Sequence, residues 1–386
     1  MNRKKILNAF LGTRAAGLYF ILFAVAIGVA TFIENDYGTS AAQKVIFKAR
    51  WFELLLLLFG ATILYNIYQY RMIQQKKWAL VLFHVSIIVI ILGAGVTRYF
   101  GFEGVMHIRE NDAANSFLSA ETYLKFEVQK NGTTYTFDEP VLFASLGNNR
   151  FEESYLIGND LIKVSLKEFI PNPKQSFASV ENGTPTLKLV VAGTQGREEY
   201  YLEKGQTRRI GNLTYNFKDT PMAGAINLKY EDNALAINSQ RTLTQTVMAT
   251  QQRDTLLGSG AYVPLKLRSL YSDGTNNFVF SEFQPSASTA ISSEDPKVRG
   301  ESMTALLLEV SVNGTTNKSY VYGMKGLLGR PTPFSFNNLQ MAVSYGAREV
   351  TVPFAIKLND FQLDKYPGTN SASSYASEVT VMDPTE

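Results

Sequence analysis

Trp78-Ala79-Leu80-Val81-Leu82-Phe83-His84-Val85-Ser86-Ile87-Ile88-Val89-Ile90-Ile91-Leu92-Gly93-Ala94-Gly95-Val96-Thr97 decides the fold. These 20 residues hold a single ionisable side chain, and Lys76-Lys77 and Arg98 flank them. A helix of about 20 apolar residues crosses the hydrocarbon core of a bilayer. Two further runs precede it. Ala15 to Ile33 is 19 residues without a charge, and Leu54 to Tyr70 is 17. The chain therefore reads as a membrane region over residues 1–100, with spans at about 15–33, 54–70 and 78–97. A signal peptide is the weaker reading of the first run. It is long for a signal core, and Glu34-Asn35-Asp36-Tyr37 follows it instead of a small-residue cleavage site.

Basic residues give the orientation. Arg3, Lys4, Lys5 and Arg14 precede or open the first span, and Arg71, Lys76 and Lys77 sit between the second and third. Both places fit the cytoplasm. Lys44, Lys48 and Arg50 in the first loop work against this. Three spans from a cytoplasmic N-terminus put everything after Arg98 on the far side. Residues 40–50 read as a short amphipathic helix on that outer surface, with Ala42, Val45, Ile46 and Ala49 on one face.

Charge divides the chain at the same place. Of its 386 residues, 37 are Lys or Arg and 34 Asp or Glu. Residues 1–100 hold 11 basic and 3 acidic residues, which leaves 26 and 31 for the remainder. The body is thus slightly acidic and has no basic stripe with interleaved aromatics, so no nucleic-acid partner is expected. The absence of cysteine excludes a disulfide framework, thiolate metal sites and covalent attachment of haem to this chain.

Beyond residue 100 the period falls to two. Leu124, Phe126 and Val128 alternate with Lys125, Glu127 and Gln129, and Asn131-Gly132 then turns the chain into Tyr135 and Phe137. Leu308, Val310 and Val312 repeat the pattern before Asn313-Gly314. Further strands are expected at 161–168, 186–192, 198–203, 211–217, 276–283 and 339–346. The fold class is membrane α plus β: three transmembrane helices followed by a β-rich extracytoplasmic domain over residues 101–386, sandwich-like, with two sheets face to face. Gln284 to Ser302, rich in Ser, Ala and Pro, reads as a surface loop.

His84 is the sharpest chemical feature. It lies seven residues after Lys77, roughly 10 Å into the membrane at ~1.5 Å per residue. An ionisable group at that depth is a functional candidate, and a neutral imidazole is an axial ligand for haem iron. The competing reading is a histidine hydrogen-bonded within the helix bundle, for instance to Asn66 or Ser86. His107, the only other histidine, alternates with apolar neighbours as on a first strand and reads as a surface or structural histidine. Gly93, Ala94 and Gly95 fit two readings equally, a close approach by another helix or a local flexible point. Trp51 and Trp78 sit at span edges as interfacial anchors. No catalytic residue is assigned, and no phosphate loop or dinucleotide fingerprint is present.

Four stretches together resemble the ResB/CcsB family of System II cytochrome c biogenesis proteins. They are Leu11-Gly12-Thr13-Arg14 running to Thr31-Phe32-Ile33-Glu34-Asn35-Asp36-Tyr37-Gly38-Thr39; Trp51-Phe52-Glu53-Leu54-Leu55; Lys77-Trp78 through His84 to Glu103-Gly104-Val105-Met106-His107-Ile108-Arg109-Glu110; and, more loosely, Lys357 to Thr369 with Ser374, Tyr375 and Ser377. The resemblance implies haem transport across a bacterial inner membrane and delivery to the Cys-x-x-Cys-His motifs of apocytochrome c. It implies a periplasmic domain, a CcsA-type partner or fused C-terminal half, and an association with thiol-reducing proteins. It also implies that His84 is one axial ligand of a membrane haem b, bound to the haem iron. The second ligand and the haem-handling tryptophans belong to the CcsA part, so the chain alone is not expected to be catalytic within the haem-lyase system. The family's domain continues to a fourth span, whereas this sequence stops at Glu386. It is accordingly expected to be the N-terminal part of a fused CcsBA-type haem exporter and cytochrome c synthase. The alternative from another class is a membrane-anchored receptor or scaffold whose β-domain binds a ligand or partner protein.

Overall fold

The computed structural model describes residues 3–193, 196–256, 258, 260–300, 302–336 and 339–383. Among them, three helical stretches are long and apolar enough to cross a membrane: Lys5–Tyr37, Arg50–Gln69 and Trp78–Phe100. The first is built from α1 (Arg3–Leu11) and α2 (Thr13–Tyr37). Gly12 joins them, and a side chain there would lie 2.4 Å from the Asn8 carbonyl oxygen. Then come α3 (Thr39–Ala42), α4 (Arg50–Gln69) and α5 (Trp78–Phe100).

Helix α2 ends at Gly38, whose φ of +88° and N–H bond to the Glu34 carbonyl close the last turn. Only glycine fits, because a Cβ would stand 2.0 Å from the Val298 carbonyl oxygen. The amide of Val298 bonds the Tyr37 carbonyl at 3.2 Å, so a loop of the β-region seats directly on the helix end.

The segment expected as an amphipathic helix over 40–50 is the short helix α3 followed by a π-helical turn, Gln43–Phe47. It does not present one free apolar face. Ala42 and Ile46 are buried with Ala26, Ala30, Phe52 and Leu55, so the segment is wedged among α2 and α4. Small side chains on α2 allow that approach. Helix α5, by contrast, buries none of its residues.

The remaining chain is β, and contact clustering divides the molecule into two compact units. One comprises the residues up to Pro173 together with those from Ser293 onward; the other is Lys174–Ser292. Among the described residues there are three sheets, not the expected two, because the inserted unit carries a sandwich of its own. The first unit holds a ten-stranded sheet. Its path runs from Gly104–Val105 through Ala113–Lys130, Leu339–Lys365, Thr315–Leu328, Met303–Val312 and Asp160–Pro171 to Glu152–Ile157. Both Asn-Gly turns are present. Lys130 pairs with Thr133 across Asn131 and Gly132, and Val312 with Thr315 across Asn313 and Gly314, all four with positive φ. This is the type I′ geometry that matches strand twist. The alternating residues Leu124, Phe126, Val128, Leu306, Leu308 and Val310 are fully buried together.

In the inserted unit, a six-stranded and a five-stranded sheet share one core. Leu187, Tyr271, Phe278 and Phe280 from the first meet Tyr215, Leu228 and Ile237 from the second. Gln284 to Ser293, read from composition as loop, continues the strand Asn277–Ser293. The strand neighbours Pro173–Gly193 in the six-stranded sheet, and Ala287 is buried within it. Its backbone lies so close to Gly183 that a Cβ on that glycine would meet Ala287 at 2.4 Å.

Asp273 closes the hairpin before this strand. Burial opposes its ionisation, but the amides of Asn276 and Thr275, the Asn276 side chain and Arg241 all donate to its carboxylate and hold its pKa at about 2. The folded pKa is depressed, so the stabilisation is complete above the unfolded value and lost as pH falls through the folded one. In urea unfolding of the detergent-solubilised chain, Asp273→Asn should lower stability by about 2 kcal/mol at neutral pH. The difference from the parent should vanish between about pH 4 and about pH 2. A constant difference down to the lower limit would show that the carboxylate charge is not what Asp273 contributes.

Candidate functional site

Helix α5 starts at Lys77-Trp78, on the end away from the β-region, and His84 lies six residues inside it. Its Nδ1 is 2.7 Å from the Leu80 carbonyl oxygen one turn back. A carbonyl only accepts, so this contact puts the proton on Nδ1 and leaves Nε2 with its lone pair. Among the described residues nothing bonds Nε2. Phe83 lies edge-on at 5.7 Å between ring centroids.

The alternative partners considered for His84 are engaged elsewhere. Asn66 is buried on α4, where its amide donates to Thr62 and its oxygen accepts from Thr13. Ser86 donates to the Phe83 carbonyl at 2.7 Å. The polar residues at this end instead tie the N-terminal helices to α4: Thr13 meets Tyr70 at 2.8 Å, and Tyr65 donates to Asn8 at 2.8 Å. An imidazole whose Nδ1–H is held by a backbone carbonyl is the arrangement that orients a metal-ligating histidine.

His107 is not on a strand. The first strand is only Gly104–Val105, and His107 follows in an exposed loop. Alternation alone misled here, because the segment lacks a second strand to pair with beyond Val105. His84 and His107 cannot serve one iron. Sixteen residues of helix separate His84 from Phe100, about 24 Å of rise before the chain even leaves α5.

The other end of the helices carries a feature that no motif announced. A cavity of about 700 Å³ lies where α4, α5 and the Gln43–Phe47 turn meet the ten-stranded sheet. Ala94 and Gly95 line it, so the small-residue stretch of α5 faces open space, not a helix of this chain; a Cβ on Gly93 or Gly95 would meet nothing within 4 Å. Arg98 braces one wall. Its guanidinium donates to the carbonyls of Phe47 (2.6 Å) and Lys48 (3.0 Å) and reaches Glu53 at 3.4 Å. Lys48 pairs with Glu121 at 2.9 Å. Lys44, whose amine burial pulls down to about 8, donates to Asn149. Lys325, from the strand Thr315–Leu328, completes the lining. Burial lowers its pKa, the charge of Lys48 adds to this and that of Glu34 opposes it. Sequence could not reveal Lys325 as part of a site, since only the folding of a distant strand brings it beside α5. Trp51, expected as an anchor, is half-exposed at the helix edge and donates its indole N–H to the Val45 carbonyl.

Residues 74–159, which contain all of α5 and the start of the β-region, match the ResB-like family. Over 369 residues the chain is 25% identical to Protein NrfI of Wolinella succinogenes, an alignment covering 96% of this chain and 27% of that protein. The chain thus spans about a quarter of the length of the curated relative it matches.

The Arg98 clamp should carry measurable stability. Arg98→Ala leaves two carbonyls and Glu53 without their donor and should lower stability by about 1–3 kcal/mol in thermal unfolding in detergent. Arg98→Lys should recover only part, because one ammonium cannot reproduce the planar fork. No loss in either variant would mean that the clamp is replaced by solvent.

Proposed function

We propose that this chain, whose residues 74–159 match the ResB-like family, serves c-type cytochrome biogenesis as a ResB/CcsB-type membrane subunit that holds haem for delivery. One observation supports the ligand role above all: His84 has its Nδ1 proton directed at the Leu80 carbonyl and its Nε2 without a partner among the described residues. The donor set fits one axial bond to haem iron and no more. His84 would hold the iron, and the fixed Nδ1–H bond would set the plane of the imidazole. The bound haem supplies the group that becomes attached to a Cys-x-x-Cys-His motif of an apocytochrome c. This chain has no cysteine, so the thiols come from that substrate or its thiol-reducing partners. The second axial ligand comes from a CcsA-type membrane protein, separate or joined to this chain.

In this reading the three helices span a bacterial inner membrane with Arg71, Lys76 and Lys77 on the cytoplasmic side. His84 then lies toward the cytoplasmic half, where haem made in the cell would arrive. The β-region lies in the periplasm, where apocytochrome is matured, and positions the partner or the apocytochrome.

Two measurements test this. In the chain purified together with its CcsA-type partner, His84→Ala should abolish the low-spin haem spectrum, and His84→Gly should regain it with added imidazole. An unchanged spectrum in His84→Ala sinks the ligand role. Topology is tested by single cysteines, since the chain has none of its own. A membrane-impermeant maleimide should label Asn131→Cys in intact spheroplasts and label Gln74→Cys only after lysis. The opposite pattern would invert the orientation.

A further inference from the structure

We propose that the cavity at the domain end of the helices binds an anionic membrane phospholipid, with its phosphate on Lys325 and an acyl chain against α4 and α5. Its lining has two ends of different chemistry. Leu56, Leu57, Ile91, Ala94 and Gly95 form an apolar wall from the two helices, and Lys48, Arg98, Lys325, Ser119 and Thr122 line the polar part. The volume of about 700 Å³ falls within the range of small-molecule sites.

The lining holds as many carboxylates (Glu53, Glu103, Glu121) as cations (Lys48, Arg98, Lys325), but the pairing leaves Lys325 out. Arg98 is satisfied by two carbonyls and Glu53, and Lys48 by Glu121. Lys325 is only partly exposed and has neither hydrogen bond nor ion pair among the described residues. The like charge of Lys48 acts on it, and the carboxylate of Glu34 opposes this without bonding it. A partly buried ammonium beside another cation is unfavourable unless an anion joins it. Glu103, the remaining acid of the lining, is exposed to solvent.

The location selects the kind of anion. Helix α5 has 23 residues, about 34 Å of rise, against about 30 Å of hydrocarbon core. Arg98, near its end, therefore lies at headgroup depth, with Ala94 and Ile91 about one and two turns deeper toward the acyl chains. A phosphate at the level of Lys325 with a hydrocarbon tail running down α5 satisfies both ends at once. A soluble anion would leave the apolar wall uncovered. An amphiphile with carboxylates, haem among them, shares the chemistry and is separated by the test.

The test is native mass spectrometry of the full chain released from nanodiscs made of equal amounts of dioleoylphosphatidylglycerol and dioleoylphosphatidylcholine. The parent should retain phosphatidylglycerol in preference. Lys325→Gln should lower that retention about tenfold, and Lys325→Arg should preserve it. Gly95→Leu, which adds bulk where nothing lies within 4 Å of the Cβ, should expel both lipids from the apolar end. Should Lys325→Gln unfold, Gly95→Leu decides the matter: retention unchanged by it overturns the proposal. Equal retention of the two lipids, or phosphatidylglycerol held as well by a folded Lys325→Gln, overturns it too. Displacement of the lipid by one equivalent of haem assigns the cavity to haem instead. None of these outcomes depends on His84, so the lipid site and the axial-ligand role fail separately.

Discussion

A polar group surrounded by hydrocarbon must find its partner inside the protein, because no water is there to replace it. That constraint organises the membrane-facing part of this molecule. It makes the spans helical, since only a helix pairs its own backbone. It turns the Asn66 amide onto Thr62, the Ser86 hydroxyl onto Phe83 and the His84 Nδ1 onto Leu80, each within one turn of its own helix. At the domain end it draws the Arg98 guanidinium onto the carbonyls of Phe47 and Lys48, which the π-helical turn leaves without helical donors. Arg98 ties α5 to the turn, and polar contacts join the helices to the β-region: Lys48 to Glu121, Lys44 to Asn149, Val298 to Tyr37.

The same constraint explains which parts of the fold were legible in the sequence. Uncharged runs of span length and strict alternation broken by Asn-Gly are local signals, and both the helices and the two hairpins follow them. The failures are of another kind. Gln284 to Ser293 has loop-like composition yet forms a strand, because neighbouring strands supply its hydrogen bonds and leave its side chains little to decide. Residues 40–50 have an amphipathic pattern, but the apolar face is claimed by α2 and α4. The insertion of residues 174–292 as a separate unit with its own core leaves no mark on composition, since both units use the same alternation.

Legibility of the site divides in the same way. His84 stands out in sequence because an ionisable residue in an apolar helix is costly wherever the fold puts it. What sequence left open was its partner, and the structure resolves that in favour of its own backbone rather than Asn66 or Ser86. Lys325 is one of 37 basic residues and lies in a strand that alternates like any other. Its interest arises only from position, partly buried beside Lys48 at the end of α5.

Helix α5 carries both features and yet buries none of its residues. Packing within this chain therefore does not fix its apolar face, and lipid hydrocarbon would satisfy Leu82, Val89 or Ile90 as well as another helix would. What distinguishes one cover from another on such a helix is its few non-hydrocarbon groups. There are two such places on α5. At one end, the free Nε2 of His84 can be satisfied by a metal and not by an acyl chain. At the other, the cavity floored by Ala94 and Gly95 offers room for hydrocarbon beside a cation that hydrocarbon alone would not neutralise. Separated by well over 10 Å of helix, the two places would make different demands on a ligand. A helix left unpacked by its own chain thus acquires specificity from its chemistry at two points rather than from the shape of its surface.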